Sequence, residues 1–411
     1  MMGSCSWSLV FILCVVRLSQ QWSALDIWLR PLENSNGGKS DEQRVLNFFP
    51  VPVEEECLTD DKRRRGTCMN TYECRIQQGT SHGPCALGFG VCCVFTATCG
   101  NEVGNNLTYV TSPGFPNLID QPMNCSVVIK KIEPQVSQLR IDFLHFNIGQ
   151  PNKRTGGCDE DIMEITSGDR IYQLCGWNSG QHSKHQFCIL SVYVDVSEGS
   201  VTLDFILPSS LQSRMWEMSI VQLPFEQRAP AGCLQYFNTP RGTLRTLNYL
   251  PNGRYLSNQD YLLCIRQERE MCSIAYSPCS SDSFRIGPSR LNDDQNNQMN
   301  PADGSGAGSN DPNTVRRCDD RVLIPCDFEE FITPGNDGTG VCDLEHCGTS
   351  LCGPGETDSE GNCRVETSAT PFHIRVAFGA GNENFTSMED MIVPWADFFQ
   401  LHPLGLCEGE P

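Results

Sequence analysis

The sequence predicts an all-β protein built of disulfide-braced sandwich modules. Three observations carry this: short runs in which apolar and polar residues alternate, the lack of any long helical period, and 24 cysteines in 411 residues. In residues 139–146 (LRIDFLHF), Leu139, Ile141 and Phe143 fall on one side and Arg140 and Asp142 on the other, as in a half-buried strand. Val201, Leu203 and Phe205 repeat the pattern, as do Trp216, Met218 and Ile220, and later Phe372, Ile374, Val376 and Phe378. Turn residues such as Ser112-Pro113-Gly114 and Glu198-Gly199 separate the runs. Many short strands with turn chemistry between them argue for two-sheet antiparallel sandwiches. At roughly 100–200 residues per domain, the length suits two or three domains.

The cysteines set the compartment. Thiols at this density are kept reduced in a cytosol, whereas in an oxidising lumen each bridge contributes about 2–4 kcal/mol. Residues 7–16 (WSLVFILCVV) form an apolar run too short to span a bilayer but right for a signal-peptide core. A signal peptide over residues 1–24, cut between Ser19 and Ala24, removes Cys5 and Cys14 and leaves an even 22 cysteines. The last residues, 404–411 (LGLCEGEP), carry neither an apolar tail nor a lipidation signature, so the expectation is a secreted, soluble, extracellular protein with no transmembrane span. A net charge of −20, without a basic stripe to offset it, excludes nucleic acid as a partner. Asn106, Asn124 and Asn384 stand in Asn-x-Ser/Thr sequons and are the expected glycosylation sites.

Residues 25–56 mix Pro, Asn, Gly and charge without a sustained period, which suits a flexible leader. Six cysteines then crowd into residues 57–93: Cys57, Cys68, Cys74, Cys85, Cys92 and Cys93. So short a segment is held by its bridges, and strain in a vicinal ring sends Cys92 and Cys93 to different partners. Residues 223–231 (LPFEQRAPA) read as a junction, after which Cys233 opens a second β region resembling the first. Residues 289–314 are rich in Asn, Asp, Gly and Ser and read as a disordered insertion within it.

Several features together resemble a CUB domain: Cys99, the turn from Ser112 through Asn117, Cys125 with a strand after it, the Phe143-x-x-Phe146 pair, and Cys158-x-x-Asp161 leading into a strand. That family is a β-sandwich with two bridges made in sequential order, which implies Cys99 to Cys125 and Cys158 to Cys175. Gly180-Gln181-His182, Arg214-Met215-Trp216, the segment from Gly232 to Tyr236 and the segment from Cys264 to Glu268 further resemble secreted arthropod CUB proteins, in which a second, more divergent CUB-like unit follows the first. The cysteine knot resembles the clip knots ahead of many arthropod serine proteases. The resemblance implies a clip-like knot at 57–93, a CUB domain at 99–228 and a divergent CUB-like domain at 229–407, the latter with Cys233 and Cys264 as bridge cysteines.

No GxSxG, GDSGG-like turn or HExxH stands in the sequence, so no catalytic residue is assigned. Some CUB domains hold calcium through an acidic cluster, and Asp161 with Asp195-x-Ser197 resembles two parts of that site. The family's third part, a glutamate, aligns with Gly149 beside neutral Gln150; calcium wants six to eight oxygens, so solvated loop acids are the stronger reading. No other cofactor is expected. His182, His185 and Cys188 stand at intervals of three, but zinc would need a fourth ligand and a reduced thiol. Asp159-Glu160-Asp161 and Asp319-Asp320 read as charged surface, since neighbours along a strand face opposite ways. Lys62, Arg63, Arg64 and Arg65 form the one dense basic run; it reads as a solvated loop, a processing site or an anionic-glycan contact. The function these residues imply is non-enzymatic recognition of extracellular proteins or glycans. The alternative is non-catalytic regulation of an extracellular clip-protease cascade.

Overall fold

The computed structural model describes residues 56–179, 181–183, 186–196, 199–210, 212–239, 242–249, 254, 256–269, 271–279, 283–286, 320–325, 343–347, 351, 364–379, 395–400 and 402–406. The expected signal peptide, the leader up to residue 55 and the insertion at 289–314 lie outside these residues.

The cysteine-rich segment folds as β1 (Glu56–Leu58), β2 (Arg65–Met69), a short helix α1 (Thr71–Ile76), β3 (Thr80–Cys85) and β4 (Gly90–Ala97). The Asn70 side chain caps α1 by accepting from the Tyr72 N–H. Three bridges, Cys57–Cys92, Cys68–Cys85 and Cys74–Cys93, cross it, so the two vicinal cysteines go to different partners, Cys92 to β1 and Cys93 to α1. Gly79 has no room for a side chain, because a Cβ there would lie 2.3 Å from the Cys93 sulfur. Glu56, the final residue of the expected leader, is already in a strand and pairs with Thr67.

The first sandwich comprises β5 (Glu102–Val103), β6 (Leu107–Thr111), β7 (Met123–Ile129), β8 (Val136–Asn147), β9 (Ile162–Ser167), β10 (Arg170–Leu174), the hairpin β11 (Gln181–Ser183) and β12 (Gln186–Cys188), β13 (Leu190–Asp195), β14 (Val201–Leu207) and β15 (Met215–Pro224). One sheet runs β10-β9-β14-β7-β5. The other runs β1-β2-β4-β6-β15-β8-β13, with β3 also on β4, so the knot is a continuation of the sandwich and not a bead ahead of it. The join is a parallel pairing of β4 with β6, Phe95 opposite Thr108. Between the sheets the alternating residues interlock. Leu139, Ile141, Phe143, Val201, Leu203, Phe205, Trp216, Met218 and Ile220 are all buried, and Trp216 stacks on Phe205 at 4.2 Å. Each such side chain contributes about 1.5–3 kcal/mol by leaving water. Cys99–Cys125 and Cys158–Cys175 brace this unit.

The second module holds β16 (Cys233–Phe237), β17 (Thr243–Arg245), β18 (Gln259–Ile265), β19 (Met271–Tyr276), β20 (Phe284–Arg285), β21 (Arg321–Pro325), β22 (Asp343–His346), β23 (Val365–Thr367), β24 (His373–Phe378), β25 (Trp395–Gln400) and β26 (His402–Leu406). Its largest sheet runs β16-β18-β24-β21-β22, and two three-stranded sheets, β17-β25-β20 and β23-β19-β26, accompany it. Phe372, Ile374 and Val376 are fully buried here. Cys233–Cys264 ties the parallel pair β16 and β18, and Cys272 and Cys347 are bridged as well.

Candidate functional site

Two features meet at the junction of the first sandwich with the second module. The first is a buried ion pair. Asp161 precedes β9 and Arg214 precedes β15, and both side chains are fully buried. Arg214 Nε donates to Asp161 Oδ2 and Nη2 to Oδ1, each at 2.7 Å, a bidentate pairing that suits a planar guanidinium. The Gly149 N–H also donates to Asp161 Oδ2, at 2.8 Å. The backbone of Arg214 is fixed too, since it exchanges hydrogen bonds with Ile119 in both directions.

The second feature is Asn248, a buried residue of the second module in the left-handed region (φ 56), which Asn tolerates better than most side chains. Its side-chain oxygen accepts from the Trp177 N–H at 2.8 Å, and its own N–H donates to Asn178 Oδ1 at 2.6 Å. Its Nδ2 donates to Gln150 Oε1 and to the Arg254 carbonyl, while Arg254 donates to the Pro151 carbonyl and the Ser257 N–H to the Gly156 carbonyl. Gly176 makes the fit possible, because a Cβ there would lie 2.2 Å from Asn248 Oδ1. Nearby, Tyr193 of β13 meets Tyr236 of β16 edge to face at 6.1 Å. Burial pushes the Tyr193 phenol above the ordinary tyrosine range, so it stays neutral there.

Beside this lock the two modules enclose a cleft of about 200 Å³. Trp177, 44% exposed, stands on the first sandwich's side; Tyr236, Phe237, Arg245 and Tyr249 line the other. The Arg245 guanidinium lies 5.4 Å from the Tyr249 ring centre. Aromatic faces with hydrogen-bonding groups around them suit an apolar side chain or a sugar ring. The volume falls below the about 300–1,000 Å³ of ordinary small-molecule sites, so it fits part of a larger partner.

Two family models agree with this architecture. Residues 99–219 match the CUB domain family, and residues 230–390 match the Animal CUB domain. The chain carries two CUB domains. CUB domains mediate extracellular protein interactions. Dog cubilin is 25% identical over 213 residues, 47% of this chain and 5% of that protein; pig cubilin is 29% identical over 87 residues, 20% of this chain and 2% of that protein. The chain thus spans only a small part of these relatives' length. Among solved structures, the Ca2+-bound second CUB domain of MASP-1 is 22% identical with a TM-score of 0.24, covering 30% of this chain and 98% of that one. The CUB1-EGF-CUB2 segment of rat MASP-1 is 12% identical with a TM-score of 0.24, covering 74% and 100%.

Among the described residues, the expected donors Asp161 and Asp195 do not form a calcium site. Asp161 is no solvated loop acid: it is 1% exposed, and both its oxygens are occupied by Arg214. Asp195 lies elsewhere. Its carbonyl accepts from the hydroxyl of Ser167, at the far end of β9 from Asp161, roughly 20 Å away at the rise of a strand. Its carboxylate accepts instead from Gln138 at 2.9 Å. A side chain at position 149 would also crowd Asp161, since its Cβ would lie 3.0 Å away. Ser197 lies outside the described residues, and among those residues no three His, Cys, Asp or Glu side chains converge on one point.

The basic run is likewise not uniformly solvated. Lys62 and Arg63 are exposed, but Arg64 lies against the first CUB domain: its Nε is 2.7 Å from Glu217 Oε1 and its guanidinium is 5.0 Å from the Tyr109 ring centre. Arg65 exchanges backbone hydrogen bonds with the Tyr109 hydroxyl and reaches Glu56. Burial raises the Tyr109 phenol above its usual range, so the hydroxyl keeps its proton to donate.

Of the remaining candidates, Asp159 and Glu160 are exposed and accept from Asn152 and Gln212, and Asp320 accepts from the Gly379 N–H. Asp319, His185 and Asn384, and the side chains of His182 and Cys188, lie outside the described residues. Asn106 and Asn124 are exposed. Sequence reasoning missed Asn248 entirely, since nothing local marks it. Arg214 stands in the Arg214-Met215-Trp216 segment that resembles the CUB family, and only its burial reveals its role.

Proposed function

We propose that this protein is a secreted, non-enzymatic binding protein whose two CUB domains grip an extracellular protein or glycan at the cleft between them. The observation that carries the reading is that cleft, with Trp177 on one wall and Tyr236, Phe237 and Tyr249 on the other. A rigid junction presents such a surface without an entropic cost at each encounter. The domain plan proposed with it is a signal peptide at 1–24, a leader from 25 that ends before Glu56, a clip-like knot through 93, CUB domains at 99–228 and 229–407 with an insertion at 289–314, and glycans on Asn106, Asn124 and Asn384. Kinship with secreted arthropod CUB proteins belongs to the same reading.

The test is capture from native extracellular fluid by the glycosylated full chain, identified by mass spectrometry, beside a Trp177→Ala, Arg245→Ala double variant. A partner retained by the wild type and lost by the variant supports the reading; partners held equally by both move the site away from the cleft.

A second reading, regulation of a clip-protease cascade, draws on the rim of the knot. Leu87 is 99% exposed and Phe89 62%, next to the Cys68–Cys85 bridge. An exposed apolar tip braced by a disulfide suits a protein contact. Under this reading clip proteases co-purify with the chain and are lost on Leu87→Asp.

A further inference from the structure

We infer that Arg214 serves the first CUB domain as a built-in cation, so that the Asp161 end of that domain, and the junction resting on it, hold their shape without calcium. A guanidinium carries five N–H donors, and here five oxygens meet them. Asp161 takes Nε and one Nη2 hydrogen; the carbonyl of Ser209 takes the other. The carbonyls of Gln212, at 3.2 Å, and Gln121, at 3.5 Å, take Nη1.

These oxygens come from separate stretches of chain: position 121, position 161 and positions 209–212. Gathering carboxylate and carbonyl oxygens from separate loops is what a bound calcium does. Here the positive charge is covalently part of the chain. A divalent ion at Asp161 would have to displace the guanidinium or sit beside it, two like charges on one carboxylate in a fully buried place.

The consequence reaches the second domain. Asp161 holds the Gly149 N–H, Gly149 accepts from the Gly176 N–H at 2.8 Å, and the next residues, Gln150 and Trp177, contact Asn248. The ion pair therefore fixes the two loops into which Asn248 fits. This inference is independent of what the cleft binds.

Hydrogen exchange on the secreted full chain tests it, read by mass spectrometry in peptides covering 117–121, 145–152 and 208–217, in millimolar calcium and in chelator. The expected result is the same protection in both, because no metal is involved. Slower exchange of these peptides in calcium would overturn the inference. Asp161→Asn keeps the shape but leaves the guanidinium buried without its counter-charge. Exchange in the same peptides is expected to quicken by about a hundredfold in both conditions. An Asp161→Asn variant protected like wild type would overturn it too, and the wild-type comparison stands even if that variant fails to fold.

Discussion

The side-chain oxygen of Asn248, in the second CUB domain, accepts the backbone N–H of Trp177, in the first, at 2.8 Å. The same residue reaches Asn178, Gln150 and Arg254, so one buried side chain and its own N–H serve both faces of the junction. Removing it leaves buried donors and acceptors without partners, at about 1–3 kcal/mol each.

Asn248→Ala is therefore expected to loosen the junction and leave each sandwich folded. Small-angle scattering should show a larger radius of gyration, and calorimetry two transitions further apart than in wild type. Gly176→Ala should do the same by steric means, since its Cβ would collide with Asn248 Oδ1 at 2.2 Å and its φ of 83° is strained for a side chain. Unchanged scattering in both variants would mean that the junction is held by other contacts.

The knot's attachment makes a second prediction. Arg64 pairs with Glu217, whose side chain is 9% exposed, and covers the Tyr109 ring. Hydrogen bonds to charged groups are worth about 1.5–3 kcal/mol, so Arg64→Ala should speed tryptic cutting at Lys62, Arg63 and Arg65 by about tenfold. A cut there leaves Cys57 tied to Cys92, so two fragments separate only on a reducing gel. Cutting rates equal to wild type would show that the docked arginine does not protect the run.

How much of this was legible follows from which interactions are periodic. Leu139, Ile141, Phe143 and Val201, Leu203, Phe205 declare their strands by alternation, and all six are buried. The fold class was therefore readable from local pattern. Asp161 was misread because a carboxylate looks the same in a loop whether water or a guanidinium faces it; its partner lies 53 residues away. Asp195 and Asp161 resemble one site in order along the chain, yet β9 separates them in space. The join of β4 to β6 escaped for a related reason: the chain between them passes through β5 in the opposite sheet, and a parallel pairing has no turn signature.

The stacked pair Phe205 and Trp216 gives a stability prediction for the first CUB domain. The rings lie 4.2 Å apart, 11° from parallel, and both are buried. Trp216→Ala should cost about 3–5 kcal/mol and Trp216→Phe distinctly less, measured by urea unfolding. Equal losses would mean that a phenyl ring at position 216 recovers none of the packing on Phe205.

Stability should also fall in alkali, through the second CUB domain. Tyr261 is buried, and its hydroxyl oxygen accepts the Leu247 N–H at 3.1 Å. Burial holds its phenol neutral far above the ordinary tyrosine value of about 10, and does the same for Tyr276. In the unfolded chain both ionise as the pH passes about 10, while in the folded domain they do not. Unfolding then releases protons, so the stabilisation is complete below that pH and is lost as pH rises above it, by up to about 1.4 kcal/mol per pH unit for each group. Tyr261→Phe should be less stable at neutral pH, because the buried Leu247 N–H loses its acceptor, yet its denaturation midpoint should decline less steeply between about pH 9 and pH 11. Urea midpoints across that range decide the matter: a slope as steep in Tyr261→Phe as in wild type would place the alkaline sensitivity in other groups.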